Sequence, residues 1–378
     1  MDRTIQLFRY TRGLTRIPVQ TLSQSYEVLI DRGLLRSAAA ALRSLIPPNA
    51  RVFALTAPPI RRHWAGALRK SFATADRKVE VMVMPDGERS KTLAELQKLA
   101  EKLVSLGADR HSVLLALGGG VVGDVGAFLA SIYMRGVPVV QIPTTLLAQV
   151  DSAIGGKTGV NLKAGKNLLG TFHQPIAVLV DPDVLSTLAE REYRSGLFEA
   201  MKYGVIRNPA IFQLMESQRE ALLRRNGEVL ETLIADCIRV KAEVVGRDER
   251  ESGERRILNF GHTIGHALEA ETNYRQLLHG EAVGWGMIAA CLVGSEMRVT
   301  DAETAERIIA LVKSYGPLPK VKVDGKRILK RLASDKKTVG GVAHFVLPTA
   351  IGKVEVVNNV PARLIIEAVE SVSRRSRA

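Results

Sequence analysis

The sequence predicts an α/β amino-terminal half built on a parallel sheet, followed by a mainly α-helical carboxy-terminal half. Three observations predict this. From about residue 26 to 185, short runs rich in Val, Ile and Leu alternate with amphipathic stretches; one of those runs passes directly into a cluster of glycines; and after about residue 187 the strand signals nearly vanish. Strands buried on both faces read as continuous apolar runs, and parallel pairing needs crossover segments of helical length between them.

Taken in order, "RVFALT", "VEVMVM", "SVLLAL", "PVVQIPT" and "AVLVDP" read as buried strands, and "TLAELQKLAEKLVSLG" as a helix closed by Gly107. Beyond residue 187, "NGEVLETLIADCIRVKAEVVGRDE" and "DAETAERIIALVKSYG" carry helical spacing, and "GVAHFVLPTAIGKVEVV" reads as a short hairpin or edge pair. With no internal repeat and no low-complexity linker, the chain divides into 1–187 and 188–378, two units meeting over a substantial interface. Such an interface is a usual place for an active site.

The 378 residues, 46% hydrophobic and 24% charged, are enough for two ordinary cores. The greasiest stretch, "SVLLALGGGVVGDVGAFLASIYM", is broken by Asp124 and by glycines, so no membrane span is expected. The first residues lack the apolar core of a secretory signal, and a cytoplasmic protein is expected. Two cysteines, Cys237 and Cys291, without a CxxC pair indicate neither a disulfide framework nor a cysteine metal site. A formal net charge of +14 fits nucleic acid, an acidic membrane surface or an anionic small substrate. No nucleic-acid-binding motif accompanies it, and the basic tail "SRRSRA" reads as a solvated end.

Within "LALGGGVVGD" an apolar strand runs into Gly118, Gly119, Gly120 and Gly123. Glycines at a strand-to-helix turn let backbone N–H groups approach a phosphate, which the helix dipole also favours, although this is not the GxGxxG pattern and a tight structural turn reads equally well. The following stretch, "PTTLLAQVDSAIGGKTGVNLKAGKNLLGTFHQP", sets lysines, Thr, Asn and a solitary Asp151 among glycines. Polar groups this dense suit neither a core nor a regular helix, which points Lys157, Lys166 and Asn167 toward a ligand.

Three of the seven histidines fall in "NFGHTIGHALEAETNYRQLLHGEA". His262 and His266 are four apart, on one helical face, and could share an ion. The Glu of an HExxH helix is replaced by Thr263, however, and a pair at this spacing is more often an ordinary packed pair. A third His in "LLHGEA", and Glu199 with Lys202 on one face of "SGLFEAMKYG", strengthen the case for a metal.

These stretches, with "DGERSKT", "RGVPVVQIPTTLLAQVDSAIGGKTGVN", "KAEVVGRDERESGERRILNFGHTIGHALEA" and "SDKK", resemble in order the motifs of the 3-dehydroquinate synthases, a branch of the sugar-phosphate cyclases. The resemblance covers about residues 26–370; residues 1–24 match nothing, and "ALTAPPI" has Ala57 and two prolines where the family commonly carries Asn or Asp. It implies a Rossmann-like NAD-binding first domain and a second domain that binds metal and substrate. The implied reaction converts 3-deoxy-D-arabino-heptulosonate 7-phosphate to 3-dehydroquinate and phosphate, a shikimate-pathway step, by transient oxidation with NAD, phosphate elimination, re-reduction and aldol closure.

The same resemblance implies the site. Glu199, His262 and His279 would hold a divalent metal, zinc or cobalt, leaving His266 a catalytic group. Asp151, Lys202 and Lys241 would surround the reacting hydroxyls, and Arg255 would pair with the carboxylate. Lys157, Asn259, His266 and Lys336 would hold the phosphate, joined by Arg135 from the other subunit of a homodimer. NAD would lie along Asp86, Glu88, Lys91, Gly119, Gly120, Val121, Asp124, Thr144, Thr145, Lys157, Lys166 and Asn167. Two rivals are a cyclase acting on a carboxylate-free substrate and a non-catalytic basic binding module; a small anionic substrate, with no nucleic acid or membrane partner, is the expectation.

Overall fold

The computed structural model describes residues 13–334 and 344–376. Its first half contains β1 (Thr15–Gln20), β2 (Ser25–Ile30), β3 (Val52–Thr56), β4 (Val79–Val83), β5 (Val113–Gly118) and β6 (Val139–Pro143), then β7 (Val160–Leu162), β8 (Gly165–Leu169) and β9 (Ala177–Val180). Seven of these form one sheet in the order β1-β2-β9-β6-β5-β3-β4, parallel throughout except where β1 pairs antiparallel with β2; β7 and β8 form a separate antiparallel pair. The five apolar runs all appear as strands, and β3, β5, β6 and β9 are buried at every position, as central parallel strands must be.

The first 24 residues, which lie ahead of the family motifs, contain β1. Its exposure alternates along TRIPVQ and it carries Pro18, the signature of an edge strand and not of the buried runs that mark the centre of the sheet. The helix Leu93–Ser105 begins where Thr92 accepts a bond from the Glu95 amide, 3.2 Å, and ends before Gly107 at φ 74°.

The second half is helical, with β10 (Phe345–Ala350) and β11 (Lys353–Val357) as the one antiparallel hairpin among its described residues. At its centre the helix His279–Glu296 is buried on almost every side. Glycines permit this: a Cβ on Gly280 would lie 1.9 Å from the Ser195 carbonyl oxygen on the helix Glu190–Ile206, and one on Gly286 would lie 1.8 Å from that of Gly261, which precedes the helix His262–Glu271. Three backbones therefore close to contact distance, and that approach brings together residues far apart in the chain. Ile17, Val19, Tyr26, Val28 and Val180 of the sheet share one apolar core with Leu197, Leu233 and Ile264 of the helical half, so the two halves meet over a continuous buried interface. Among the described residues, no helix is long and apolar enough to cross a membrane.

Candidate metal and active site

Glu199, fully buried on the helix Glu190–Ile206, places Oε1 3.5 Å from His262 Nε2 and 3.3 Å from His279 Nε2. Both histidines begin their helices, and both are oriented from behind. His262 Nδ1 donates to the Phe260 carbonyl at 3.0 Å and His279 Nδ1 to Glu269 Oε2 at 3.0 Å. In its neutral form, with the proton on Nδ1, each ring would turn an Nε2 lone pair toward Glu199. Neither oxygen of Glu199 has a hydrogen-bond donor, although Lys202 Nζ stands 2.7 Å from Oε2 and balances charge.

With an ion bound, two Nε2 lone pairs and a carboxylate oxygen, all buried, would converge on the cation; without one, a proton on His279 supplies the positive charge beside Glu199. Ligands of a tetrahedral ion bound at about 2.0–2.1 Å stand about 3.3 Å apart, so the N, N, O set fits zinc or a similar borderline ion. His262, His266 and His279 also bring ring nitrogens within 4.8 Å of one another, an alternative triad. Glu199 stands within 3.5 Å of both rings and its oxygens are left without hydrogen-bond partners, so the geometry favours Glu199 over His266 as the third donor.

Burial pushes His262 down to about 4, so it is a neutral imidazole at pH 7. Burial works the same way on His279, but the Glu199 and Glu269 carboxylates on either side of the ring outweigh it and raise that ring to about 10. Burial opposes the charge of Glu199 as well, and Lys202 and His262 overcome it, holding the carboxyl well below the usual range.

Beside this centre runs a chain of alternating charges. Asp151 Oδ1 accepts from the Tyr203 hydroxyl at 2.5 Å and from Lys241 Nζ at 2.7 Å, with Lys202 Nζ 3.6 Å away. Burial lowers Lys241 to about 8 against the opposing pull of Asp151, leaving an ammonium that can give up its proton near neutral pH. Glu251 gathers Lys157 in an ion pair and Asn259 Nδ2 at 2.9 Å. Arg255, 1% exposed, donates through Nη1 to the Glu249 carbonyl and through Nη2 to that of Gly155 at 3.2 Å; Nε has no partner, and among the described residues the guanidinium makes no ion pair.

The glycine turn lies at the carboxyl end of β5. Gly119 precedes the helix Gly120–Ile132, in which Val121 is half-buried, and a Cβ on Gly119 would meet Thr145 Cγ2 at 2.9 Å. Thr144, following β6, bonds the Gly118 carbonyl at 2.9 Å and keeps a buried hydroxyl without a partner. Lys91 pairs with Asp124 and donates to Asn167, and Asn161 joins the group through Glu88 at 2.7 Å. Lys166 reaches Glu269 at 3.2 Å, tying the β7–β8 hairpin to the carboxylate that orients His279. Backbone amides at a helix start, a tight glycine approach and an orphaned hydroxyl make a cradle that suits a dinucleotide phosphate.

The expected residues converge with three exceptions. Asp86 is exposed and bonds the adjacent Gly87 amide at 2.9 Å. Arg135 is exposed on the left-handed turn after the helix Gly120–Ile132, at φ 70°, and none of the ion pairs joins it to the other residues. Lys336 lies outside the described residues. Tyr203, Glu251 and Glu269 complete the site without having been singled out for these roles. Tyr203 adjoins Lys202 in the chain, and Glu269 stands seven residues after His262, two turns along the same helix face, a spacing that could have marked it. The neighbouring carboxylates serve elsewhere: Glu281 pairs with Arg191 at 2.6 Å, and Glu271 with Arg327 at 2.6 Å.

Residues 81–195 match the family model described as 3-dehydroquinate synthase N-terminal, and residues 196–338 the one described as C-terminal. The 3-dehydroquinate synthase of Koribacter versatilis (strain Ellin345) is 55% identical over 359 residues, 95% of this chain and 98% of that protein. The chain belongs to the 3-dehydroquinate synthase family. Solved structures agree on the fold. The 2-epi-5-epi-valiolone synthase from Streptomyces hygroscopicus subsp. jinggangensis, with NAD+ and Zn2+ bound, superposes with a TM-score of 0.86 at 29% identity, covering 93% of this chain and 98% of that one. A 2-deoxy-scyllo-inosose synthase complexed with carbaglucose-6-phosphate, NAD+ and Co2+ gives 0.85 at 26% identity, covering 94% and 100%. A 3-dehydroquinate synthase family member thus shares its whole architecture with cyclases of other substrates, and specificity has to be read from side chains.

Proposed function

We propose that this chain is a 3-dehydroquinate synthase acting on 3-deoxy-D-arabino-heptulosonate 7-phosphate, with residues 1–187 binding NAD and residues 188–378 holding metal and substrate. The observation that carries the reading is Arg255. Glu251 and Asp151 support its charge from a distance, but a guanidinium buried to 1% exposure without a carboxylate in ion-pair contact among the described residues is costly unless a ligand supplies the anion, and its fork matches a carboxylate at two points. It shares the pocket with Lys241, whose charge it disfavours.

When bound, NAD supplies reversible hydride transfer, and a divalent ion such as zinc or cobalt at Glu199, His262 and His279 supplies Lewis acidity. Arg255 fixes the carboxylate end of the substrate. Asp151, Tyr203 and Lys241 form a hydrogen-bonded set at which a hydroxyl proton can be taken up and later returned. Lys157 and Asn259, held by Glu251, together with His266, Lys336 and Arg135 from the other subunit of a homodimer, neutralise the phosphate as the neighbouring C–H proton is lost and the C–O bond to phosphate breaks. The hydride returns to the oxidised carbon and a proton to its oxygen before ring closure, so NAD ends unchanged, while the C–H proton leaves in balance with the phosphate. A cytoplasmic biosynthetic enzyme fits this chemistry.

The second reading, a cyclase of a carboxylate-free sugar phosphate, is favoured by the fold neighbours. It would leave Arg255 facing a neutral group. Purified protein with metal and substoichiometric NAD should release phosphate over many turnovers from the heptulosonate phosphate and give 3-dehydroquinate, with no matching accumulation of NADH. Turnover of sedoheptulose 7-phosphate in its place would reverse the choice.

A further inference from the structure

Both residues whose carbonyls hold the Arg255 guanidinium are themselves bonded to the amino-terminal hairpin. The Gly155 carbonyl accepts from Nη2 at 3.2 Å, and the amide of the same residue donates to the Tyr26 hydroxyl on β2 at 3.1 Å. The Glu249 carbonyl accepts from Nη1, and the Glu249 carboxylate receives the Ser23 amide at 3.1 Å, the Ser23 hydroxyl, and Gln174 Nε2 at 2.8 Å. Ser23 lies in the turn between β1 and β2, which closes on itself through the Thr21 hydroxyl, donating to the Gln24 carbonyl at 2.7 Å.

The fit leaves no slack. Gly155 adopts φ 96°, and a Cβ there would stand 2.6 Å from Arg255 Nη2; a Cβ on Gly246 would stand 2.7 Å from the Gln20 carbonyl oxygen at the end of β1. A turn that served only to cover the sheet edge would need neither a serine aimed at a buried carboxylate nor a tyrosine hydroxyl aimed at a loop amide.

We propose that the β1–β2 hairpin positions Arg255 for the substrate carboxylate, with Tyr26 and Ser23 as positioning residues acting through Gly155 and Glu249. The inference rests on the reading of Arg255 as the carboxylate site. It assigns a role in specificity to a hairpin that starts ahead of the family motifs and holds none of the site residues those motifs imply.

A double-mutant cycle tests it. Tyr26→Phe and Ser23→Ala each remove one oxygen and leave the fold's apolar contacts in place. In the otherwise unchanged enzyme each should raise KM for the heptulosonate phosphate by roughly three- to tenfold, with kcat changed less. In an Arg255→Ala background neither should have a further effect, because groups acting through one side chain are non-additive. Equal effects in both backgrounds, or none in the unchanged enzyme while Arg255→Ala is strongly impaired, would overturn the inference. An Arg255→Ala enzyme with unaltered KM would instead sink the carboxylate reading beneath it. Crystal structures of the two variants give a readout free of substrate: the guanidinium should leave the Gly155 carbonyl in Tyr26→Phe, and an unmoved guanidinium in both would count against the proposal.

Discussion

His279 Nε2 and Glu199 Oε1 stand 3.3 Å apart, eighty positions apart in the chain. The relationship separates two histidines that helical spacing makes look alike. His262→Ala should strip the metal, since a centre of three protein ligands has none to spare, while His266→Ala should keep near-stoichiometric metal and slow phosphate release by about a hundredfold. Mass spectrometry of bound metal on both variants decides it. Retention by His262→Ala with loss by His266→Ala would make the three-histidine group the ligand set.

Metal uptake should release a proton. His279, raised to about 10, is protonated at pH 7 in the metal-free protein, whereas a ligating imidazole must be neutral; His262, at about 4, is neutral already. Affinity should therefore rise about tenfold per pH unit below pH 10, with one proton released per ion. Calorimetry in two buffers of different ionisation enthalpy at pH 7.5 measures the number, and a value of zero would contradict the assignment.

Arg135 leads to a prediction about assembly. Its exposure and its lack of an ion pair among the described residues fit a side chain that serves a neighbouring subunit. Inactive Arg135→Ala protein mixed with inactive His262→Ala protein should regain about a quarter of the normal activity, since half of randomly reassorted dimers are hybrids and each hybrid has one intact site. Mass spectrometry of the mixture shows whether hybrids form. Hybrids without activity would place Arg135 outside the neighbour's site.

Asp248 secures the loop that carries Arg255. Its carboxylate accepts the Ser252 and Gly253 amides at 2.8 and 2.7 Å, the Ser252 hydroxyl at 3.1 Å and the Arg255 amide at 3.0 Å. Burial opposes the charge, but these bonds outweigh it and hold the group at about 2. A depressed carboxyl stabilises the fold above its unfolded pKa and loses that contribution as pH falls through the folded one, here the window from about 4 down to about 2. Asp248→Asn should cost roughly 2 kcal/mol in denaturant unfolding at neutral pH and flatten the stability profile across that window.

What the sequence determined by itself was whatever depends on near neighbours. Buried parallel strands need unbroken apolar runs, a strand-to-phosphate turn needs glycine, and a helix start needs a cap such as Thr92; each is visible within a few residues, and the ordered motifs carried the family. The edge strand β1 escaped because alternation interrupted by Pro18 is a weak local signal. The candidate ligand set came from the family motifs and not from local spacing: spacing pairs His262 with His266, whereas the structure sets His262 against Glu199 on another helix. That choice belongs to tertiary packing, because Gly280 and Gly286 let three helix backbones approach more closely than any side chain would allow, and the distances this sets between carboxylate, imidazole and guanidinium have no local pattern to betray them.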